Sequence, residues 1–286
     1  MDIVKASIEQ IRFAHDIAST HGNTLVCAYS GGKDSDVMLD LCLRTGVPFR
    51  VQHNHTTVDA PETVYHIREV FSRLNAAGIP TVINHPEMSM WRLIEKKLMP
   101  PTRIARYCCE YLKERKLKGH HLLLGVRQAE SNSRRTRGVH EALGLPKGKR
   151  EAAIIHIGDN DARRRMTEIC ILHNRVATNP IIDWTDREIW QYIRERKLKT
   201  NMLYECGFTR VGCIGCPMAT SNARFAEFRR YPKYKANYIS AFERMLKARK
   251  YAGKDDVSHG TWITADSVFR WWTELGYNPD QIEWEV

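Results

Sequence analysis

Ser30-Gly31-Gly32-Lys33-Asp34-Ser35 follows the apolar run Thr24-Leu25-Val26-Cys27-Ala28-Tyr29 and precedes Val37-Met38-Leu39-Asp40-Leu41-Cys42-Leu43. The first run predicts a buried strand and the second a packed helix. A strand, a glycine turn and a helix N-terminus together make an anion site. Glycines let the backbone approach a ligand, while free N–H groups and the positive end of the helix dipole face a phosphate. Lys33 adds a point charge, and Ser30 and Ser35 add hydroxyls. The Gly-x4-Gly-Lys-Ser/Thr spacing of a Walker loop is absent. The bland alternative is a glycine turn beside a surface lysine.

Outward from this loop, strand and helix patterns alternate. Residues 1–20 carry Ile3, Val4, Ile8, Ile11, Phe13 and Ile17 at helical spacing, with Gly22 as a stop. Phe49–His53, Thr81–Asn84 and Leu122–Val126 read as strands, with Ala153–His156 a further candidate. The run after Pro61 reads as a helix, since proline suits the first turn. Thr185 with Glu188 three residues on reads as a capping box opening another. This alternation predicts an α/β fold built on a doubly wound, mostly parallel sheet. Ligands of such sheets bind at the carboxyl ends of the strands, where Ser30 and Gly125 fall. Residues 127–151 form a basic, glycine-containing loop, and 222–250 read as basic helix. The expected organisation is an α/β domain over 1–220 with a helical, basic, Trp-rich C-terminal region over 221–286.

The chain has 286 residues, 43% hydrophobic and 27% charged, the balance of a soluble globular protein. No apolar run approaches the ~20 residues of a membrane span, and the N-terminus lacks a secretory pattern. A cytoplasmic protein with no membrane partner is expected. The net charge of +11 suits a polyanionic partner, whether nucleotide, nucleic acid or both. Eight cysteines in such a chain argue against a disulfide framework. Two sets stand out: the adjacent pair Cys108-Cys109, and Cys213-Ile214-Gly215-Cys216-Pro217. No His-x3-His spacing with a glutamate suggests a catalytic metal.

Four more segments follow the glycine loop in order: Val58-Asp59-Ala60-Pro61-Glu62-Thr63, Leu124-Gly125-Val126-Arg127-Gln128-Ala129-Glu130-Ser131, Asn179-Pro180-Ile181-Ile182-Asp183-Trp184-Thr185-Asp186, and Cys213-x-x-Cys216-Pro217. With Ser30–Ser35 at the front, this set resembles the phosphoadenosine-phosphosulfate reductase family of the ATP pyrophosphatase superfamily, over roughly residues 24–220. The resemblance implies an adenine-nucleotide α-hydrolase-like fold and cleavage of ATP between its α and β phosphates, with Mg2+ neutralising the pyrophosphate. It implies nucleotide contacts from Ser30, Gly31, Gly32, Lys33, Asp34, Ser35 and Gly125. Arg127 and Arg134 would meet phosphate or a substrate anion, and Asp59 and Glu62 would lie near the nucleotide. Lys33, Asp34 and Arg127 would be catalytic. A solvated basic loop is the plain alternative for the two arginines.

The cysteine pair plus the Cys-x-x-Cys resembles the ligand set of the family's iron–sulfur members, implying a [4Fe-4S] cluster on Cys108, Cys109, Cys213 and Cys216. A four-cysteine zinc site and a redox Cys-x-x-Cys remain alternatives, although adjacent cysteines are awkward for a zinc knuckle. Cys206 would replace one of the pair or carry sulfur. The family's sulfonucleotide reductases use a catalytic cysteine in a C-terminal Glu-Cys-Gly segment. Here no cysteine follows Cys216, and Glu205-Cys206-Gly207 lies before the Cys-x-x-Cys. The expectation is therefore an ATP pyrophosphatase that adenylates an acceptor oxygen and supports sulfur transfer, closest to the sulfur-transfer proteins of bacterial DNA phosphorothioation. A cysteine desulfurase would donate the sulfur, and DNA would bind Arg134, Arg135, Arg137, Lys147, Lys149 and Arg150. A sulfonucleotide reductase and a non-catalytic nucleotide-sensing iron–sulfur subunit are the alternatives. A homo-oligomer is left open.

Overall fold

The computed structural model describes residues 2–114, 120–130, 134, 137–142, 175–254 and 262–274. These form two compact units, each built from separate stretches of chain. The first takes Met1–Asn54, Pro61–Asn84 and Arg115–Val211, and the second His55–Ala60, His85–Glu114 and Gly212–Val286.

In the first unit six strands form one sheet: β1 (Thr24–Ala28), β2 (Arg50–Asn54), β3 (Thr81–Asn84), β4 (His120–Leu123), β5 (His140–Ala142) and β6 (Arg175–Thr178). Their order is β3-β2-β1-β4-β6-β5. Every pairing is parallel except β5 with β6, which is antiparallel. Helices α1 (Ile3–Thr20), α2 (Lys33–Thr45) and α3 (Pro61–Ala76) belong to this unit. The Asp2 carboxylate caps α1 by accepting from the Val4 amide at 2.9 Å. Ile11, Val37, Met38, Leu41 and Ile67 fill the core beside Cys27 and Cys42, which are buried thiols as their apolar surroundings predict. The expected α/β fold is present. The candidate strand at 153–156 lies outside the described residues, and β5 and β6 are additions to the expected set.

From β1 the chain runs outward through β2 and β3 and then crosses to β4 on the other side of β1, so the carboxyl ends of β1 and β4 flank the switch point where such sheets bind ligands. Next to it lies a buried polar cluster. Thr178 Oγ1 is 2.8 Å from both His121 Nε2 and His140 Nδ1. Burial lowers the imidazole pKa to about 3 for His121 and about 4 for His140. Both stay neutral in the folded chain, while the unfolded chain protonates them below pH ~6.5. Their stabilising contribution is therefore complete above pH ~6.5 and is lost as pH falls, by about 1.4 kcal/mol per histidine per pH unit. The unfolding free energy of His140→Asn should fall less steeply between pH 6.5 and 4.5 than that of the wild type. Equal slopes would refute this account.

The second unit is helical. It holds α4 (Met90–Lys97), a helical turn at Tyr107–Cys109, α6 (Ser221–Arg230), α7 (Pro232–Tyr251) and α8 (Ala265–Glu274). α5 (Asp186–Arg196) belongs to the first unit and opens with the expected capping box: Thr185 N donates to Glu188 Oε2 at 2.7 Å, and Glu188 N donates to Thr185 Oγ1 at 3.3 Å. The described part of the C-terminal region is helical. Its helices share a core with residues 85–114 because aromatic rings from both converge. Trp91 packs edge-on against Tyr238 at 4.8 Å, and Tyr238, Phe228, Phe242 and Phe269 surround the fully buried Trp272. The Trp272 indole N–H donates to the Pro101 carbonyl at 2.7 Å. Trp284 lies outside the described residues. Among the described residues no helix is long and apolar enough to cross a membrane.

Candidate functional site

The glycine loop leaves the end of β1 and enters α2. Gly31 has φ +76°, and an added Cβ would stand 2.9 Å from Ile67 Cγ1, so both backbone and space demand glycine. The Ser35 hydroxyl folds back, accepting from Gly32 N at 3.1 Å and donating to Gly32 O at 2.7 Å. A Cβ on Gly125 would come within 3.1 Å of the Asp34 carbonyl, so the β4 loop approaches the start of α2 closely. Beneath the loop, Tyr29 Oη donates to Asp36 Oδ1 at 2.5 Å and His66 Nε2 sits 3.0 Å from the same oxygen. Burial raises the Asp36 pKa, and contacts with His66 and Tyr29 oppose the shift.

Charges gather at the mouth of the loop. Lys33 Nζ lies 3.3 Å from Asp34 Oδ2 and 3.4 Å from Asp186 Oδ1. Arg127 is 1% exposed. Its Nε donates to Asp34 Oδ1 at 2.6 Å, its Nη2 to Asp186 Oδ1 at 2.8 Å and its Nη1 to the Trp184 carbonyl at 3.2 Å. Some burial opposes ionisation of Asp186, yet Arg127 and Lys33 hold its pKa below the ordinary carboxylate range. Arg127 is thus a buried fork that holds two carboxylates around Lys33. Arg134 pairs with Glu130, and Arg137 with Glu141. Arg135, Lys147, Lys149 and Arg150 lie outside the described residues. Glu62 occupies the first turn of α3.

The second unit brings the cysteines together. Cys108 and Cys109 hydrogen-bond to each other. That bond, aided by Arg106 and Lys113, pulls the Cys109 pKa down to about 5, while the same bond and burial raise Cys108. Burial pushes the Cys213 pKa up to about 11. Nearby Cys213, then Cys109, Asp59 and Cys216, raise the Lys113 pKa above the ordinary lysine value against the opposing effect of burial. Residues 55–60 line the Cys-x-x-Cys: Ile214 N donates to Val58 O at 2.8 Å, and Cys213 Sγ lies 3.4 Å from Thr56 Oγ1. The Asp59 carboxylate is bound here, accepting from Thr56 N and Thr56 Oγ1 at 2.7 Å each. Asp59, expected near a nucleotide, thus belongs to the cysteine loop. Gly215 has φ +71°, and its missing Cβ would meet Phe228 at 2.7 Å and Trp272 at 2.9 Å. The aromatic C-terminal core is the floor of the Cys-x-x-Cys. The exposed Cys206 belongs to the first unit.

The family pattern of the phosphoadenosine phosphosulfate reductase domain matches residues 24–219. The chain belongs to this family. An uncharacterized protein of Methanocaldococcus jannaschii is 26% identical over 257 residues, 86% of this chain. This chain spans 45% of that relative, about half its length. An adenosine 5'-phosphosulfate reductase of Staphylococcus epidermidis is 25% identical over 231 residues, 77% of this chain and 81% of that protein. A phosphate complex of phosphoadenylyl-sulfate reductase from Candida auris aligns with a TM-score of 0.47 at 18% identity, covering 73% of this chain and 88% of that one.

Within this phosphoadenosine phosphosulfate reductase-family domain, three side chains at the loop escaped residue-by-residue reading. Asp186 closes the familiar Asn179–Asp186 segment, so its position carried a signal. Tyr204 and Asn201 carried none, because their partners lie in the glycine loop and arrive only through folding. Lys33 N donates to Tyr204 Oη at 2.9 Å, and Asn201 Nδ2 donates to Gly31 O at 3.2 Å.

Proposed function

We propose that this domain binds ATP at Ser30–Ser35, cleaves it between the α and β phosphates, and adenylates an acceptor oxygen that is then exchanged for sulfur. The observation that carries this reading is the loop at the sheet switch point: glycine at φ +76°, a helix N-terminus, and Lys33 held between Asp34 and Asp186. Backbone N–H groups and Lys33 would hold the phosphates, and Arg127 would keep Asp34 and Asp186 in place. An acceptor oxyanion attacks the α-phosphorus and pyrophosphate leaves. Mg2+ would neutralise that leaving group, with Asp34 and Asp186 as the nearby carboxylates. The sulfur nucleophile then attacks the activated phosphorus and AMP leaves.

Cys108, Cys109, Cys213 and Cys216 would hold a [4Fe-4S] cluster, supplying sulfide or electrons to the sulfur step. One observation favours it over zinc. Among the described residues no three cysteine sulfurs lie within 4.8 Å of one another. A single tetrahedral zinc with ~2.3 Å bonds needs sulfurs roughly 3.8 Å apart. The low pKa of Cys109 suits a thiolate ligand to either group. We further propose DNA backbone phosphate as the acceptor, on the strength of the +11 charge, and a cysteine desulfurase as the sulfur donor: the terminal sulfur of its persulfide attacks the acceptor's phosphorus, AMP leaves with the original oxygen, and an external dithiol then cleaves the S–S bond, supplying two electrons and becoming a disulfide.

Anaerobically purified protein should be brown and carry about four irons per chain, lost in Cys108→Ser and Cys216→Ser. Stoichiometric zinc without visible absorbance would defeat the cluster. Identity to a named adenosine 5'-phosphosulfate reductase favours a second reading, sulfonucleotide reduction. Pyrophosphate and AMP formed from ATP on adding DNA support the first reading. Sulfite released from adenylylsulfate, without DNA stimulation, supports the second.

A further inference from the structure

The N-terminal amides of α2 are not all free to receive a ligand. Gly32 N is met by Ser35 Oγ at 3.1 Å, and Lys33 N is met by Tyr204 Oη at 2.9 Å. The tyrosine is built into place. Asn201, fully buried, donates to Gly31 O at 3.2 Å and to Thr63 Oγ1 at 3.0 Å, while its own oxygen accepts from Leu203 N at 3.1 Å. These bonds clamp the turn at 201–207 onto the glycine loop. Trp190 stands edge-on to the Tyr204 ring at 5.3 Å, and Lys33 Nζ lies 5.9 Å from that ring's centre. A Cβ on Gly32 would come within 3.3 Å of Tyr204 Oη, so glycine at 32 admits the phenol.

We propose that Tyr204 is a residue of the nucleotide site whose phenol oxygen keeps the place of a phosphate oxygen on the Lys33 amide and yields it when ATP binds. The inference rests on the ATP reading of the glycine loop. The chemistry favours the exchange: a charged phosphate oxygen accepts a stronger hydrogen bond from an amide than a neutral phenol does. Until that exchange, Tyr204 keeps the amide satisfied, so an empty loop does not strand a polar group. Asp34 and Asp186 do the same for the Lys33 ammonium. The loop is therefore self-occupied, and a ligand must bring enough negative charge to displace its protein stand-ins.

Tyr204→Phe tests this, because the ring keeps its contact with Trp190 and only the oxygen is removed. Two measurements are made on the full chain: hydrogen exchange at the Lys33 amide without ligand, and calorimetric titration with Mg-ATP. In Tyr204→Phe the amide should exchange faster, and ATP should bind about three- to tenfold more tightly, the worth of one hydrogen bond no longer broken on binding. Unchanged exchange overturns the proposal, as does ATP affinity equal to or weaker than wild type, which would make the phenol neutral or a contact of the bound state. If the wild-type chain binds no ATP, the nucleotide reading itself falls and takes the proposal with it. If it binds ATP while the variant shows no gain, only the proposal falls.

Discussion

Replacing Lys33 with alanine is expected to lower the rate of pyrophosphate release about 10²- to 10³-fold, the usual loss when one preorganised charge-stabilising group is removed from a reacting centre. The fold should survive. Lys33 closes a carboxylate pair that Arg127 also serves, with Arg127 Nε 2.6 Å from Asp34 and Nη2 2.8 Å from Asp186. Thermal unfolding of Lys33→Ala should therefore stay within a few degrees of wild type while activity collapses. Formation of ADP instead of AMP by the wild type would contradict α–β cleavage. A variant that keeps full activity would show that the ammonium does not touch the phosphates.

The second large effect is at Arg127. Arg127→Met should destabilise the first unit by about 3 kcal/mol, the lower end for breaking a buried ion pair, since Asp186 is largely exposed and can rehydrate. This corresponds to a fall in Tm of roughly 6–12 °C. Arg127→Lys should recover only part of it. A lysine ammonium does not span Asp34, Asp186 and the Trp184 carbonyl together, as the planar guanidinium does. The sequence expectation, that Arg127 contacts a phosphate, makes the opposite forecast: little change in Tm, weakened ATP affinity, and partial rescue of affinity by lysine. Differential scanning calorimetry with an ATP titration on both variants separates the two. Stability unchanged in Arg127→Met, with weakened ATP affinity, would support the phosphate contact expected from sequence.

Much of the scaffold was legible from local chemistry. An apolar run before a glycine turn is enough to announce β1, and the capping box at Thr185 and Glu188 announced α5 because both of its bonds join residues three apart. The cysteine pairs announced themselves by spacing. Tertiary structure decided the rest, because it depends on partners far apart in the chain. Tyr204 reaches the Lys33 amide across 171 residues, and Arg127 reaches Asp34 across 93. Asp59 sits between two segments with different destinies, and only the bridge to Cys213 assigns it to the cysteine loop. The tryptophans of the C-terminal region carry no period that names their partner. Trp272 finds it in Gly215, where a missing side chain leaves room for the ring beneath the Cys-x-x-Cys. Sequence alone determined the family, the strand–helix alternation and the residue types available for phosphate and thiolate chemistry, since those follow from local pattern. Which charges face each other, which amide is already taken and which helix supports the cysteines were decided only by folding, because burial turns a neighbour in space into a hydrogen-bond partner whatever its distance in sequence.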